Sequence, residues 1–155
     1  MNNLIGIDKK KAEELSEKLN HLLSNYQIYY QNLRGFHWNI TGQSFFELHA
    51  KFEELYTRAN AAVDEIAERI LTLGNTPLHT YEDYLEGTKI KVAKNVKDGR
   101  ETVKITIDNL STLISLEREI FSLANETDDE GTATLMSDYI KEQEKTVWML
   151  NAYAK

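Results

Sequence analysis

Apolar residues recur along this chain at intervals of three and four, the spacing that keeps them on one face of an α-helix. The first such run starts near Asp8, whose side chain suits an N-cap. It carries Leu15, Leu19, Leu22, Tyr26, Tyr29 and Leu33 and stops near Arg34 and Gly35. The second opens on Ser44-Phe45-Phe46-Glu47, the pattern of a capping box. It continues through Phe52, Leu55, Ala59, Ala62, Ile66, Ile70 and Leu73, and ends at Gly74 with Pro77 beyond. That length is about 30 residues, or roughly 45 Å of helix. The third, over about 100–125, begins with Thr102-Val103-Lys104-Ile105-Thr106-Ile107, which alternates as a strand would. The later Leu110, Leu113, Ile114, Glu117, Ile120, Phe121 and Ala124 favour helix throughout. The fourth, over about 132–152, carries Leu135, Met136, Tyr139, Ile140, Gln143, Val147 and Leu150.

Residues 75–99 mix Pro77, Gly87, Gly99 and charges, with room for one turn of helix near Tyr81 to Leu85. So long a connection fits a crossover between two helix pairs better than a hairpin. The expectation is an all-α, ferritin-like four-helix bundle whose long crossover carries a short helix, forming one domain over residues 1–155.

Composition narrows the function. One proline in 155 residues suits long uninterrupted helices, and the absence of cysteine excludes disulfide scaffolds, zinc fingers and thiol catalysis. The start of the chain shows no signal-peptide pattern, and no apolar stretch approaches the roughly 18 residues of a membrane helix, so a soluble, cytoplasmic protein is expected. Against 18 Lys and Arg stand 25 Asp and Glu, a formal net charge of -7. The basic run Lys9-Lys10-Lys11 is followed at once by Glu13, Glu14 and Glu17 and reads as a solvated first helical turn. Such a balance disfavours nucleic acid, which needs a basic face or tail, and suits cations.

Metal sites inside such bundles commonly use Glu-x-x-His on two helices. None occurs here: the residues three before His21, His37, His49 and His79 are Lys18, Arg34, Phe46 and Thr76. The second helix offers another arrangement. His49, Glu53, Asp64 and Glu68 fall within a stripe about 100° wide. Glu53 and Asp64 are nevertheless about 16 Å apart along the axis, too far to share one ion. A second copy removes the difficulty, because the pairs His49/Glu68 and Glu53/Asp64 have the same midpoint, between Arg58 and Ala59. An antiparallel partner about a two-fold axis at that level sets His49 opposite Glu68 and Glu53 opposite Asp64, giving two identical sites. The alternative is a solvated acidic face.

The run from Asn32 to Gly42, containing His37-Trp38, then Phe45-Phe46-Glu47-Leu48-His49, Asp64-Glu65-Ile66-Ala67-Glu68-Arg69 and Glu144 to Leu150, resembles the Dps family of ferritin-like miniferritins over nearly the whole chain. The resemblance implies a ferroxidase site between subunits. His37, His49 and Glu53 would come from one subunit, and Asp64 and Glu68 from its two-fold mate. The family usually has Asp where Glu53 stands. Also implied are oxidation of Fe2+ to Fe3+, preferentially by hydrogen peroxide, and storage of ferric mineral inside a hollow homododecamer. Trp38 is either a local electron donor or a packing residue. Glu126, Asp128, Asp129 and Glu130 would lie in an acidic region through which iron enters, and Asp128 or Asp129 would suit the cap of the fourth helix; both can hold at once. The alternative that the family name advertises is a DNA-compacting nucleoid protein with little ferroxidase activity; the acidic balance and the lack of a lysine-rich tail argue against it.

Overall fold

The computed structural model describes all 155 residues and contains five helices and no sheet. They are α1 (Lys9–Asn39), α2 (Phe45–Thr72), α3 (Tyr81–Gly87), α4 (Gly99–Glu126) and α5 (Glu130–Ala154). The four long helices form a ferritin-like bundle. α1 packs on α2 and α4, α4 packs on α5, and the short α3 of the crossover lies against α1. The expected stripes meet in the middle: Leu15, Leu19, Leu22 and Leu33 of α1, Ile66 and Ile70 of α2, Leu113 and Ile120 of α4, and Met136 and Leu150 of α5 are all buried.

Asp8, Thr80, Asp98 and Asp129 each accept a backbone N–H of the helix that they precede, relieving its unpaired first turn. Ser44 does not. Its backbone (φ -93, ψ 17) is not the extended conformation from which a capping side chain reaches inward, and Glu47 instead accepts from the Tyr153 hydroxyl at 3.3 Å. The expected capping box is therefore absent. α2 ends as its Gly74 requires: with φ +89, Gly74 donates to Leu71 and Asn75 donates to Ile70, closing a Schellman turn.

The first helix does not stop at Gly35 but runs through it to Asn39. Leu33, Phe36 and His37 continue the buried stripe, and their packing outweighs the roughly 1 kcal/mol that glycine costs inside a helix. The strand-like start of α4 is helical as well. Thr102 and Thr106 are fully buried, their hydroxyls returned to the carbonyls of Gly99 (2.8 Å) and Thr102 (2.7 Å). The crossover is tied along α1. The Asn25 side chain accepts from the N–H groups of Lys89 and Ile90, that of Asn32 donates to Lys91 and accepts from Ala93, and Thr41 N–H donates to Lys97. This lays Lys89, Lys91, Lys94, Lys97 and Arg100, all exposed and none in an ion pair, along one side of the bundle. A basic strip thus exists where the sequence shows only scattered lysines.

Inside the bundle, Glu117 is fully buried. Its Oε2 accepts from the Tyr26 hydroxyl at 2.7 Å and from Gln143 Nε2 at 3.1 Å, while Gln143 also donates to Tyr26. Burial pushes this carboxyl up from its ordinary 4.5 to about 8, against the lowering by its Tyr26 and Gln143 hydrogen bonds. The folded protein therefore holds a proton that the unfolded chain releases near pH 4.5. The contribution of this group to stability is greatest below that pH and falls as pH rises toward 8. Glu117→Gln, which keeps the shape without the charge, should flatten the loss of urea stability between pH 4.5 and about 8 by a few kcal/mol. Equal pH slopes for the variant and the parent would contradict this assignment.

Candidate metal centre

Because α1 continues to Asn39, His37 sits on its last turn, directly against the first turns of α2, where His49 lies. The two imidazoles stack with centroids 3.8 Å apart and planes inclined by 13°. His37 Nδ1 lies 2.6 Å from the carbonyl oxygen of His49, and His49 Nδ1 lies 2.7 Å from the carbonyl oxygen of His37. A carbonyl oxygen only accepts, so each Nδ1 carries the proton and donates it. In the neutral rings this leaves both Nε2 atoms with free lone pairs, the form that ligates metal. Phe45 stacks on the far face of His49 (5.0 Å, 16°), and Tyr56 sets its edge against His37 (5.4 Å). The sequence reading does not include these two holders, although Phe45 and Tyr56 lie four residues before and seven after His49, on its side of the helix.

Glu53, Asp64 and Glu68 stand exposed on α2. None is ion-paired, whereas their neighbours are: Glu54 takes Lys51 at 3.2 Å and Glu65 takes Arg58 at 2.8 Å. Arg58 turns away from the stripe, bonding Glu142 of α5 as well, and Ala59 is buried in the core. At their level the outward face instead presents Thr57, Asn60 and Ala61, all exposed. Within one protomer no three His, Asp or Glu side chains converge on a metal position. His37 and His49 meet, but the carboxylates at 64 and 68 lie farther along α2. Trp38 does not touch either imidazole ring face. It is 56% exposed and lies under the Arg34 guanidinium, 4.7 Å from the ring centroid.

The acidic turn before α5 divides. Glu126, Asp128 and Glu130 are exposed, with Asp128 in the left-handed region (φ 56). Asp129 is buried. Its Oδ1 accepts Arg69 at 2.6 Å and the Thr132 N–H at 3.0 Å, and its Oδ2 accepts the Thr132 hydroxyl at 2.5 Å. The Arg69 guanidinium passes close over Gly131, where an added Cβ would lie 2.7 Å from it. Arg69, whose role the sequence did not signal, thus locks the C-terminal end of α2 to the start of α5.

Four long helices with one crossover, a histidine at the end of the first stacked on a histidine of the second, and carboxylates arrayed along that second helix, define a ferritin-like protein. The family model for the ferritin-like domain matches residues 16–155. A crystal structure of a Dps protein from Vibrio cholerae O1, described as a member of a broad superfamily of ferritin-like diiron-carboxylate proteins, superposes with a TM-score of 0.98. It is 53% identical, over 99% of this chain and 97% of that one. A Dps protein from Bacillus brevis superposes with a TM-score of 0.92 at 35% identity, over 96% of this chain and all (100%) of that one. A DNA protection during starvation protein of Porphyromonas gingivalis is 40% identical over 96% of this chain and 94% of its own length. The chain belongs to the Dps family.

The Arg69–Asp129 bond gives a direct test of the acidic turn. Asp129→Ala removes a helix cap and leaves the arginine unpaired, and should cost about 2–4 kcal/mol in urea unfolding. Glu126→Ala and Asp128→Ala should change stability by about 0.5 kcal/mol or less.

Proposed function

We propose that this protein oxidises Fe2+ to Fe3+ and stores the ferric product, at sites built by two copies of the chain across a two-fold axis. The iron storage and diiron-carboxylate chemistry of its family support iron as the substrate. The carrying observation is on α2. Phe46 and Leu71 are conspicuously exposed for apolar residues, at 80% and 57%. They share the midpoint of His49 with Glu68 and of Glu53 with Asp64. An antiparallel second α2 therefore sets Phe46 against Leu71 beside each mixed ligand set, and the small Thr57, Asn60 and Ala61 permit close approach at the axis. One geometry buries the exposed apolar side chains and completes the donor set at once.

In this reading His37 and His49 offer Nε2, and Glu53 offers its carboxylate. Asp64 and Glu68 of the mate supply the oxygens that stabilise Fe3+. The stacked, mutually bonded histidines are held ready, so iron binding need not order them. Two ferrous ions each give one electron to hydrogen peroxide. Its O–O bond breaks, two protons are taken up and two waters form. Exposed Glu126, Asp128 and Glu130 would draw Fe2+ toward a hollow homododecamer in which ferric mineral collects; Asp129 is committed to Arg69. No helix is long and apolar enough to cross a membrane, and we place the protein in the cytoplasm.

A second reading, protection of DNA by coating it, is favoured by one observation, the unpaired strip Lys89, Lys91, Lys94, Lys97 and Arg100. It follows α1 from Asn25 to the helix end at Asn39, about 21 Å, long enough to follow several phosphates despite the net charge of -7.

The ferroxidase reading is tested by complementation. His49→Ala and Glu68→Ala should each lose peroxide-dependent ferric absorbance. Co-expressed, they should regain about a quarter of the wild-type rate, because a mixed dimer retains one intact site and half of randomly formed dimers are mixed. No recovery would place the ligands within one chain or outside the reaction. For the DNA reading, a mobility shift at low salt should be weakened by Lys89→Gln with Lys91→Gln and Lys94→Gln, but not by the same changes at Lys9, Lys10 and Lys11. A shift indifferent to both sets, or none at all, would remove it.

A further inference from the structure

Peroxide needs two electrons to become water, and one ferrous ion supplies one. A site holding both ions matches the demand. A site holding a single ion leaves the reduction half complete, and the product is a hydroxyl radical beside the protein. What stands next to the ligands then decides where the damage goes.

The oxidisable ring in contact with a proposed ligand is Tyr56, edge-on to His37 at 5.4 Å. Tyr56 also meets Tyr30, 6.0 Å away at 79°. Tyr30 in turn lies 5.4 Å from the Arg34 guanidinium, which also lies over Trp38 at 4.7 Å. A cation over an aromatic face is attracted to the electron density of that ring and opposes its removal. Tyr30 and Trp38 both carry Arg34 in this way, whereas no cation lies over Tyr56. Tyr56 is also only half-buried in the protomer.

We infer that Tyr56, rather than the exposed Trp38, is the electron donor that completes peroxide reduction when one iron is present. The inference rests on the ferroxidase reading above. In the step, Fe2+ gives one electron and Tyr56 gives the other together with its phenolic proton. With one further proton from solvent, the O–O bond breaks to two waters, leaving Fe3+ and a neutral tyrosyl radical. Tyr30, in contact behind it, is the harder ring to oxidise because it carries Arg34, so the radical rests on Tyr56.

The experiment uses the assembled protein loaded with one Fe2+ per proposed site, mixed with peroxide and frozen for electron paramagnetic resonance, with ferric absorbance and hydroxyl-radical trapping read in parallel. The expected result is a tyrosyl signal in the parent protein. Tyr56→Phe, which keeps the ring against His37 and Tyr30, should lose that signal and release more trapped hydroxyl radical. Trp38→Phe should leave the signal in place. A tyrosyl signal that survives Tyr56→Phe, or a tryptophanyl signal that disappears in Trp38→Phe, overturns the inference. If ferric formation in these samples still depends on His49 and Glu68, the ferroxidase reading stands and the role of Tyr56 alone fails. If it does not, both fail.

Discussion

An α-helix advances about 1.5 Å per residue, and the separation that this imposes along α2 is the constraint on which the proposed site depends. Ala59, Ala62, Ile66 and Ile70 must face the core, which sends the opposite stripe, with His49, Glu53, Asp64 and Glu68, out of the bundle. Both ends of the rod are fastened. At its start the histidine pair binds it to the last turn of α1; toward its end Arg69 binds it to α5, and the Gly74 turn closes it. The proposed ligands are therefore divided along the rod, and the chemistry proposed for them needs a second copy of the chain.

The carboxylates of this chain stand in three environments that differ in kind. Glu117, among the rings and helices of the core, is kept neutral by desolvation and spends its hydrogen bonds on Tyr26 and Gln143. Asp129, as deeply buried, has the opposite solution, a charged partner in Arg69. Glu53, Asp64 and Glu68 of α2 have neither burial nor a cation. They remain hydrated and unengaged while the bundle is satisfied without them, so folding and ligand presentation draw on separate sets of residues.

The architecture was legible because amphipathic spacing of three and four survives any tertiary detail, and the α2 stripe was legible because it is counted along one helix. What escaped involves contacts between distant segments or backbone geometry. Gly35 reads as a stop and is helical, since buried neighbours on either side outweigh its cost. Ser44 and Glu47 read as a capping box, but the turn before α2 holds Ser44 in the wrong conformation. The basic strip is diluted in sequence by Ile90, Val92, Ala93 and Val96, and becomes one surface only when Asn25 and Asn32 draw the crossover along α1. The stacking of His37 on His49 could not be read at all, because it depends on α1 persisting four residues longer than its pattern suggests.

That stacking has a consequence for how the centre tolerates change. Each imidazole is oriented by a main-chain carbonyl of the other residue, a group present in every amino acid. Losing one histidine side chain therefore removes one donor and one stacking face but leaves the hydrogen-bond anchor of its companion in place. The pair combines the mutual support of a coupled device with the independence of two separate ones, and sequence drift can pass through a one-histidine form without the second ring losing its hydrogen-bonded orientation.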